Sequence, residues 1–258
     1  MTAYLPEKCE KLPVVLVVPG GAYIACSDTE GHPVAQAFAE MGYCACVLEY
    51  STLFESFDSD ISEENADMVS AFPRPLLELG KAMLLIGENA ERWGADGDKI
   101  VLCGFSAGGH LAACHGTLWH TGETAGALGV EAEKLRPAGQ ILCYPSIDMQ
   151  GKTNPIGRIM NLAIFGKAEP SPEEVSRLNP IEQVSGNTPP TFIWHSAEDT
   201  MVSCRDSMAM AAALLDSGVS CEAHIFPTGP HAIGAAKNRH CGQWMGLADK
   251  WIRRFIAK

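Results

Sequence analysis

Gly104-Phe105-Ser106-Ala107-Gly108 sets one hydroxyl between small residues, at the end of an apolar run and ahead of helix-compatible sequence. Glycines two positions either side of the serine let a strand turn sharply into a helix while the hydroxyl stays accessible at the turn. A serine hydroxyl is a weak nucleophile at neutral pH and needs a base. His231, in Pro227-Thr228-Gly229-Pro230-His231, could take the Ser106 proton and later return it to a leaving group. Asp199, in Ser196-Ala197-Glu198-Asp199, could accept the other imidazole N–H, fixing the tautomer and favouring the imidazolium. Glu198 is the rival acid, and of two neighbouring side chains at the end of an extended segment only one faces the histidine. Taken singly, these residues also fit a glycine-rich turn, a helix-cap aspartate and a surface histidine. Their order, serine then acid then histidine, each following a strand-like run, points instead to an acyl-transfer triad of Ser106, Asp199 and His231.

Such chemistry needs hydrogen-bond donors aimed at a developing oxyanion. The Ala107 amide, at the start of the helix after the serine, is one candidate, and Gly20 and Gly21 in the loop after the first strand are the others. That loop, Pro19-Gly20-Gly21-Ala22, lacks the spacing of a dinucleotide fingerprint and no Gly-Lys-Ser/Thr follows it, which excludes a nucleotide reading. Tyr23 and Ser27 are candidates for the acyl side of a substrate pocket. His110, one helical turn past Ser106, reads as a helix residue packed beside the site. His32, His115, His120, His195, His224 and His240 form no metal-ligand spacing and read as scattered surface or boundary positions. Trp119, Trp194 and Met201 divide between core and pocket.

The elements that must hold these residues can be read from hydrophobic periodicity. The continuous valine-rich run at 12–18 is the pattern of a parallel strand covered on both faces, and further strands are expected at 44–50, 100–103, 140–144, 191–195 and 222–226. Between them, helical stretches are expected at 32–40, 76–93, 107–119 and 204–217, with a closing amphipathic helix at 243–256. Apolar residues at 76, 79, 83, 86, 90 and 93 keep a period near 3.6, and Gly94 supplies the stop. Alternation of this kind predicts an α/β fold, a mostly parallel sheet with helices on both faces, whose carboxyl-end loops gather on one edge. Two stretches interrupt it: residues 51–72, acidic with scattered Phe, Leu and Met and no clear period, and residues 149–187, where Ser171-Pro172-Glu173-Glu174 reads as a cap and first turn. Both are candidate lid or cap segments on a single domain spanning 1–258.

Composition narrows the partners. A net charge of −12 disfavours nucleic acid and acidic membrane surfaces. The N-terminal residues lack the order of a signal peptide, and no apolar stretch is long enough to cross a bilayer. Ten cysteines, several inside apolar runs, read as free buried thiols, so a cytoplasmic location is expected.

Pro19-Gly20-Gly21-Ala22-Tyr23, Ser27-Asp28-Thr29-Glu30-Gly31, Gly42-Tyr43, Glu49-Tyr50, the Ser106 motif through His110, Tyr144-Pro145-Ser146-Ile147-Asp148, His195-Ser196-Ala197-Glu198-Asp199 and Gly229-Pro230-His231 occur in one order. In that order the chain resembles the alpha/beta-hydrolase branch that contains bacterial acetyl-xylan esterases and related carbohydrate esterases, near the hormone-sensitive-lipase-like carboxylesterases. The resemblance implies Ser106 as nucleophile, Asp199 as acid and His231 as base, with Gly20, Gly21 and Ala107 at the oxyanion hole. It also implies an ester hydrolase that needs no metal or organic cofactor and acts on a small-molecule acyl ester, most concretely an acetylated xylo-oligosaccharide. General short-chain carboxylesterase and feruloyl esterase activities are the near alternatives, a prolyl-oligopeptidase-like peptidase or a noncatalytic binding protein the distant ones, and homo-oligomer formation stays open. Two departures stand out: Pro19-Gly20-Gly21-Ala22 replaces the His or Pro followed by three glycines of many relatives, and 51–72 is longer than the usual link to a segment such as Pro73-Arg74-Pro75.

Overall fold

A computed structural model of the chain describes residues 1–8, 11–147 and 155–257, apart from the side chains of 155 and 156. Cys9, Asp148 and the first residues of the 149–187 segment lie outside that description. The described strands form one sheet in the order β1-β3-β2-β4-β5-β6-β7, where β1 is Thr2–Tyr4, β2 Pro13–Val18, β3 Ala45–Val47, β4 Asp96–Phe105, β5 Gly139–Cys143, β6 Thr191–Ser196 and β7 Cys221–Phe226. Every pairing is parallel except that of β1, which runs antiparallel along β3. β1 is too short and too exposed to give a sequence signal, and β3 is shorter than the apolar run 44–50 because pairing stops at Val47.

The continuous apolar runs have a direct cause: each inner strand feeds two cores. Val14, Leu16 and Val18 of β2 face one layer, with Leu79 of α2 (Arg74–Trp93), Leu111 of α3 (Ser106–Leu118) and Met210 of α8 (Cys204–Asp216). Val15 and Val17 face the other, with Val34 and Phe38 of α1 (His32–Glu40) and Trp244 and Ala248 of α9 (Trp244–Trp251). All five β2 valine and leucine side chains are fully buried, each worth about 1.5–3 kcal/mol over exposure. Strands and helices are thereby fixed on both sides, which gives the loops at the sheet's carboxyl edge a rigid base.

The remaining helices are α4 (Glu123–Leu128), α5 (Pro155–Phe165), α6 (Pro172–Leu178) and α7 (Pro180–Gln183). The Ser171 signal is a full capping box: Ser171 Oγ accepts from the Glu174 amide at 3.3 Å and Glu174 Oε2 accepts from the Ser171 amide at 2.8 Å. Residues 51–72 hold one 3₁₀ turn, Met68–Ser70, and are tied back to the site loop where the Leu53 and Phe54 amides donate to the Tyr23 and Ile24 carbonyls. The closing helix is predicted as one piece at 243–256; it is α9 followed by a π turn, Ile252–Ile256. Among the described residues no helix is long and apolar enough to cross a membrane.

Candidate active site

Strand β2 lies beside β4, while the chain leaves β2 toward β3 on one side and reaches β4 on the other. The crevice above such a reversal is where ligands settle in open α/β sheets. Ser106 stands there, directly after β4, 8% exposed and with a φ of 50°. A left-handed backbone at a non-glycine residue costs roughly 1–3 kcal/mol and persists only where its surroundings enforce it. Here the enforcement is the packing of α3 onto the loop after β2. A Cβ at Gly108 would run into the Val18 and Pro19 carbonyl oxygens, so glycine alone lets the helix start so close.

His231 reaches the serine from the loop after β7, its Nε2 2.8 Å from Ser106 Oγ. Its Nδ1 lies 2.6 Å from Asp199 Oδ2, in the loop after β6. Because a carboxylate only accepts, Nδ1 carries the proton and Nε2 is left to accept the Ser106 hydroxyl hydrogen. The Tyr144 ring packs against the His231 ring at a centroid distance of 4.9 Å and limits its rotation. Glu198, the rival acid, turns away: its Oε2 accepts from the Gly229 amide at 3.3 Å and braces the histidine loop.

Asp199 is more heavily held than its sequence setting suggests. Oδ1 accepts from the amides of Met201 and Val202 at 2.9 and 3.0 Å, and Oδ2 takes a second imidazole, His195 Nε2, at 3.2 Å. Burial works against the charge, but hydrogen bonds from His195, His231 and the Val202 amide outweigh it and hold the carboxyl well below the usual range. His195 is therefore not a scattered boundary residue: it is fully buried, and its Nδ1 pairs with Ser207 Oγ at 2.8 Å. His115 is also buried rather than superficial. For His195 the available signal was its position inside an apolar strand four residues before the acid.

Two of the predicted roles fail on geometry. The Gly20 amide donates to Glu30 Oε2 at 3.0 Å, so it is spent on a side chain and is not offered to an oxyanion. The Gly21, Ala22 and Ala107 amides have no hydrogen-bond partner among the described residues, and Gly21 and Ala22 line the cavity. Gly21 and Ala22, with Ala107, are thus left as the candidate donors. Tyr23 does not line the pocket either. Its left-handed backbone, φ 59°, turns the ring into the core, where it is 1% exposed and its hydroxyl meets His110 Nδ1 at 2.9 Å. His110 sits beside the site as expected, its Nε2 3.1 Å from the Leu178 carbonyl. Ser27 does face the cavity.

The cavity over Ser106 measures about 1150 Å³. Its far walls come from the interrupting segments: Phe57, Ile61 and Glu63 from 51–72, and Arg158, Ile159 and Met160 from α5. Met201, 64% exposed, stands at its rim, while Trp194 and Trp119 belong to the core. A nucleophile with its base on one side, free amides on the other and a largely apolar cavity above can bind an acyl group and stabilise its tetrahedral adduct.

The BD-FAE family profile matches residues 1–214. Over 245 residues the chain is 33% identical to the endo-1,4-beta-xylanase B of Butyrivibrio fibrisolvens, covering 95% of this chain and 36% of that protein. It is 24% identical to an acetylxylan esterase of Xylanibacter ruminicola, covering 98% of this chain and 46% of that one. It thus spans between about a third and a half of the length of these curated relatives. Among solved structures, an acetyl ester-xyloside bifunctional hydrolase from Caldicellulosiruptor lactoaceticus superposes with a TM-score of 0.79 at 30% identity, covering 97% of this chain and 86% of that one.

Proposed function

The chain belongs to the BD-FAE family, a serine-hydrolase-fold esterase of the alpha/beta-hydrolase superfamily, and from that premise we propose that it removes small acyl groups, acetyl first, from acetylated xylo-oligosaccharides or related sugars. The observation that carries the reading is the continuous relay from Asp199 Oδ2 through His231 to Ser106 Oγ, at 2.6 and 2.8 Å, facing unpaired amides. Ser106 Oγ attacks the acyl carbonyl as its proton passes to His231 Nε2, and the amides of Gly21, Ala22 and Ala107 receive the oxyanion. The sugar hydroxyl leaves with the proton that His231 returns. His231 then deprotonates a water, which attacks the acyl-serine, releases the carboxylic acid and restores the Ser106 hydroxyl.

An acetyl group fills only a small part of about 1150 Å³, so most of the cavity is available to the alcohol. That supports a ring-sized or oligomeric alcohol, as do the xylan-linked names of two relatives and one solved neighbour. The same volume favours a general carboxylesterase or feruloyl esterase as the second reading. We assign cap roles to residues 51–72 and to the described part of 149–187 on the same grounds, and a cytoplasmic site of action on the nine described cysteines, none of which is in a disulfide.

The test compares kcat/KM for acetylated xylo-oligosaccharides, methyl ferulate, short acyl esters and peptides, with organophosphonate labelling of Ser106. Sugar acetates are expected to lead, and Ser106→Ala to abolish both turnover and labelling while the circular dichroism spectrum is kept. Equal rates on simple and sugar esters would return the enzyme to general carboxylesterases; an unlabelled wild type with no turnover would remove the esterase reading altogether.

A further inference from the structure

Glu30 is an acidic side chain with no part in the relay, yet it is 1% exposed and lines the cavity beside the nucleophile. The point where a Gly20 Cβ would stand is 2.6 Å from Glu30 Oε2 and 2.8 Å from Ser106 Cβ, so only that glycine separates the carboxylate from the serine. A buried carboxylate so close to a developing oxyanion works against the chemistry unless it supplies something else.

What it supplies is visible in its partners. Oε2 accepts from the Gly20 amide, at the head of the loop that carries Gly21 and Ala22. Oε1 accepts from the Tyr144 hydroxyl at 2.7 Å, directly after β5. The Tyr144 oxygen in turn accepts from the Gly234 amide at 2.9 Å, three residues past His231, while its ring packs on the His231 ring. One carboxylate therefore joins three loops that approach Ser106 from β2, β5 and β7.

We propose that Glu30 is a positioning residue: its buried carboxylate clamps the oxyanion loop and, through Tyr144, the His231 loop into register around Ser106. The inference rests on the esterase reading for its kinetic consequences and stands apart from it for its structural ones. Tying down Gly20 leaves the next amides as the free donors, which accounts for the shift from Gly20 to Gly21 and Ala22. The clamp also fits the donor set. The Gly20 amide and the Tyr144 hydroxyl each give a hydrogen bond to the carboxylate, one to each oxygen, so its ionised form is satisfied in place. Burial pushes its pKa up, while Tyr144, His231, Gly20 and Ser27 hold it down. Of the titratable groups around it, Tyr144 and Cys143 come from the β5 side, Tyr50 from beyond β3 and His231 from beyond β7; His231 itself faces Asp199 as well.

Three variants separate the clamp from the charge. Glu30→Ala removes both, Glu30→Gln keeps an acceptor for Gly20 and a polar contact to Tyr144 without the charge, and Tyr144→Phe keeps the charge and the Gly20 contact but removes the hydroxyl that donates to Glu30 Oε1 and accepts from Gly234. Glu30→Ala is expected to lower kcat by about 10²-fold or more, the scale of a lost oxyanion donor, with KM changed much less. Glu30→Gln is expected to stay within about 10-fold of wild type in kcat, with KM unchanged. Tyr144→Phe should fall between the two. Hydrogen exchange supplies a readout independent of activity: in Glu30→Ala the segments 19–25 and 229–236 should both exchange faster. Unchanged exchange in both segments, or Glu30→Ala turning over within about threefold of wild type, overturns the clamp. Should Glu30→Ala fail to fold, faster exchange in 229–236 of Tyr144→Phe decides it, unchanged exchange there counting against. An inactive wild type with normal loop coupling would strike the esterase reading and leave the clamp standing.

Discussion

Four donors converge on Asp199, two amides on Oδ1 and two imidazoles on Oδ2. They make unequal contributions. On the proposed mechanism His231 uses Asp199 during turnover, whereas His195 and the Val202 amide help keep the carboxylate ionised. Asp199→Asn should therefore cost about 10³–10⁴-fold in kcat with little change in KM, since an amide cannot fix the His231 tautomer in the same way. His195→Phe leaves the Ser207 hydroxyl and the Val202 carbonyl each a partner short, so a stability loss of about 1–3 kcal/mol is expected in urea titration. Its kcat should nonetheless stay within about 10-fold, the Met201 and Val202 amides still holding the acid. A kcat loss as large as that of Asp199→Asn would make His195 a direct participant. At this scale residue type was a good guide where one type can do one job: serine, acid and histidine are brought together as their order implied. It was a poor guide where direction decides. Nothing in Gly20 says which way its N–H points, and nothing in Tyr23 says that a left-handed turn sends the ring inward.

Among the elements, the two segments that the sequence set apart meet over the cavity. Arg158 of α5 donates to Glu63 Oε1 at 2.8 Å, from residues 51–72, and to Glu169 Oε1 at 2.6 Å, before α6. All three side chains are substantially exposed, and exposed pairs add little to global stability. Arg158 and Glu63 both line the cavity, so this pair joins its two far walls. Arg158→Met should leave the Tm nearly unchanged but alter KM for oligosaccharide esters more than for a small aryl acetate, and added salt should mimic part of the change in wild type. Identical KM shifts on large and small esters would show that the pairing does not shape the alcohol side. The regular elements were legible because each inner strand serves two cores, so its apolar run is unbroken, and because Gly94 and Ser171 carry local end signals. Strand β1 and α4 were not: a three-residue strand with two exposed residues and one short glycine-bounded helix owe their form to what they pack against.

For the molecule as a whole, His115 is one group through which mild acid acts. In α3 its Nε2–H donates to the Leu135 carbonyl at 2.8 Å, and its Nδ1 is buried with no partner among the described residues. Burial lowers its pKa to about 4, against 6.5 for the free group. The unfolded chain thus takes up this proton near pH 6.5 and the folded one only near pH 4, so stability drains away between those values, by about 3 kcal/mol from this group. Glu30 acts in the opposite sense, because a carboxyl whose pKa is raised by folding favours the folded state as pH falls. Urea midpoints measured from pH 7 to 4 should decline less steeply for His115→Gln, whose amide can still donate to Leu135, than for wild type. Parallel declines would remove His115 from the account.

Ser106 and His231 touch in space but are 125 residues apart in the chain, and the histidine hangs from β7, the outermost strand. During synthesis the residues of β2, β4 and the Ser106 turn are made long before the base, which follows the strand at one edge of the sheet. An unfinished or mis-docked copy therefore lacks the Asp199–His231–Ser106 contacts, and on the proposed mechanism its serine should be unreactive toward esters. Reactivity at Ser106 is in effect a certificate that the last third of the chain has reached its place.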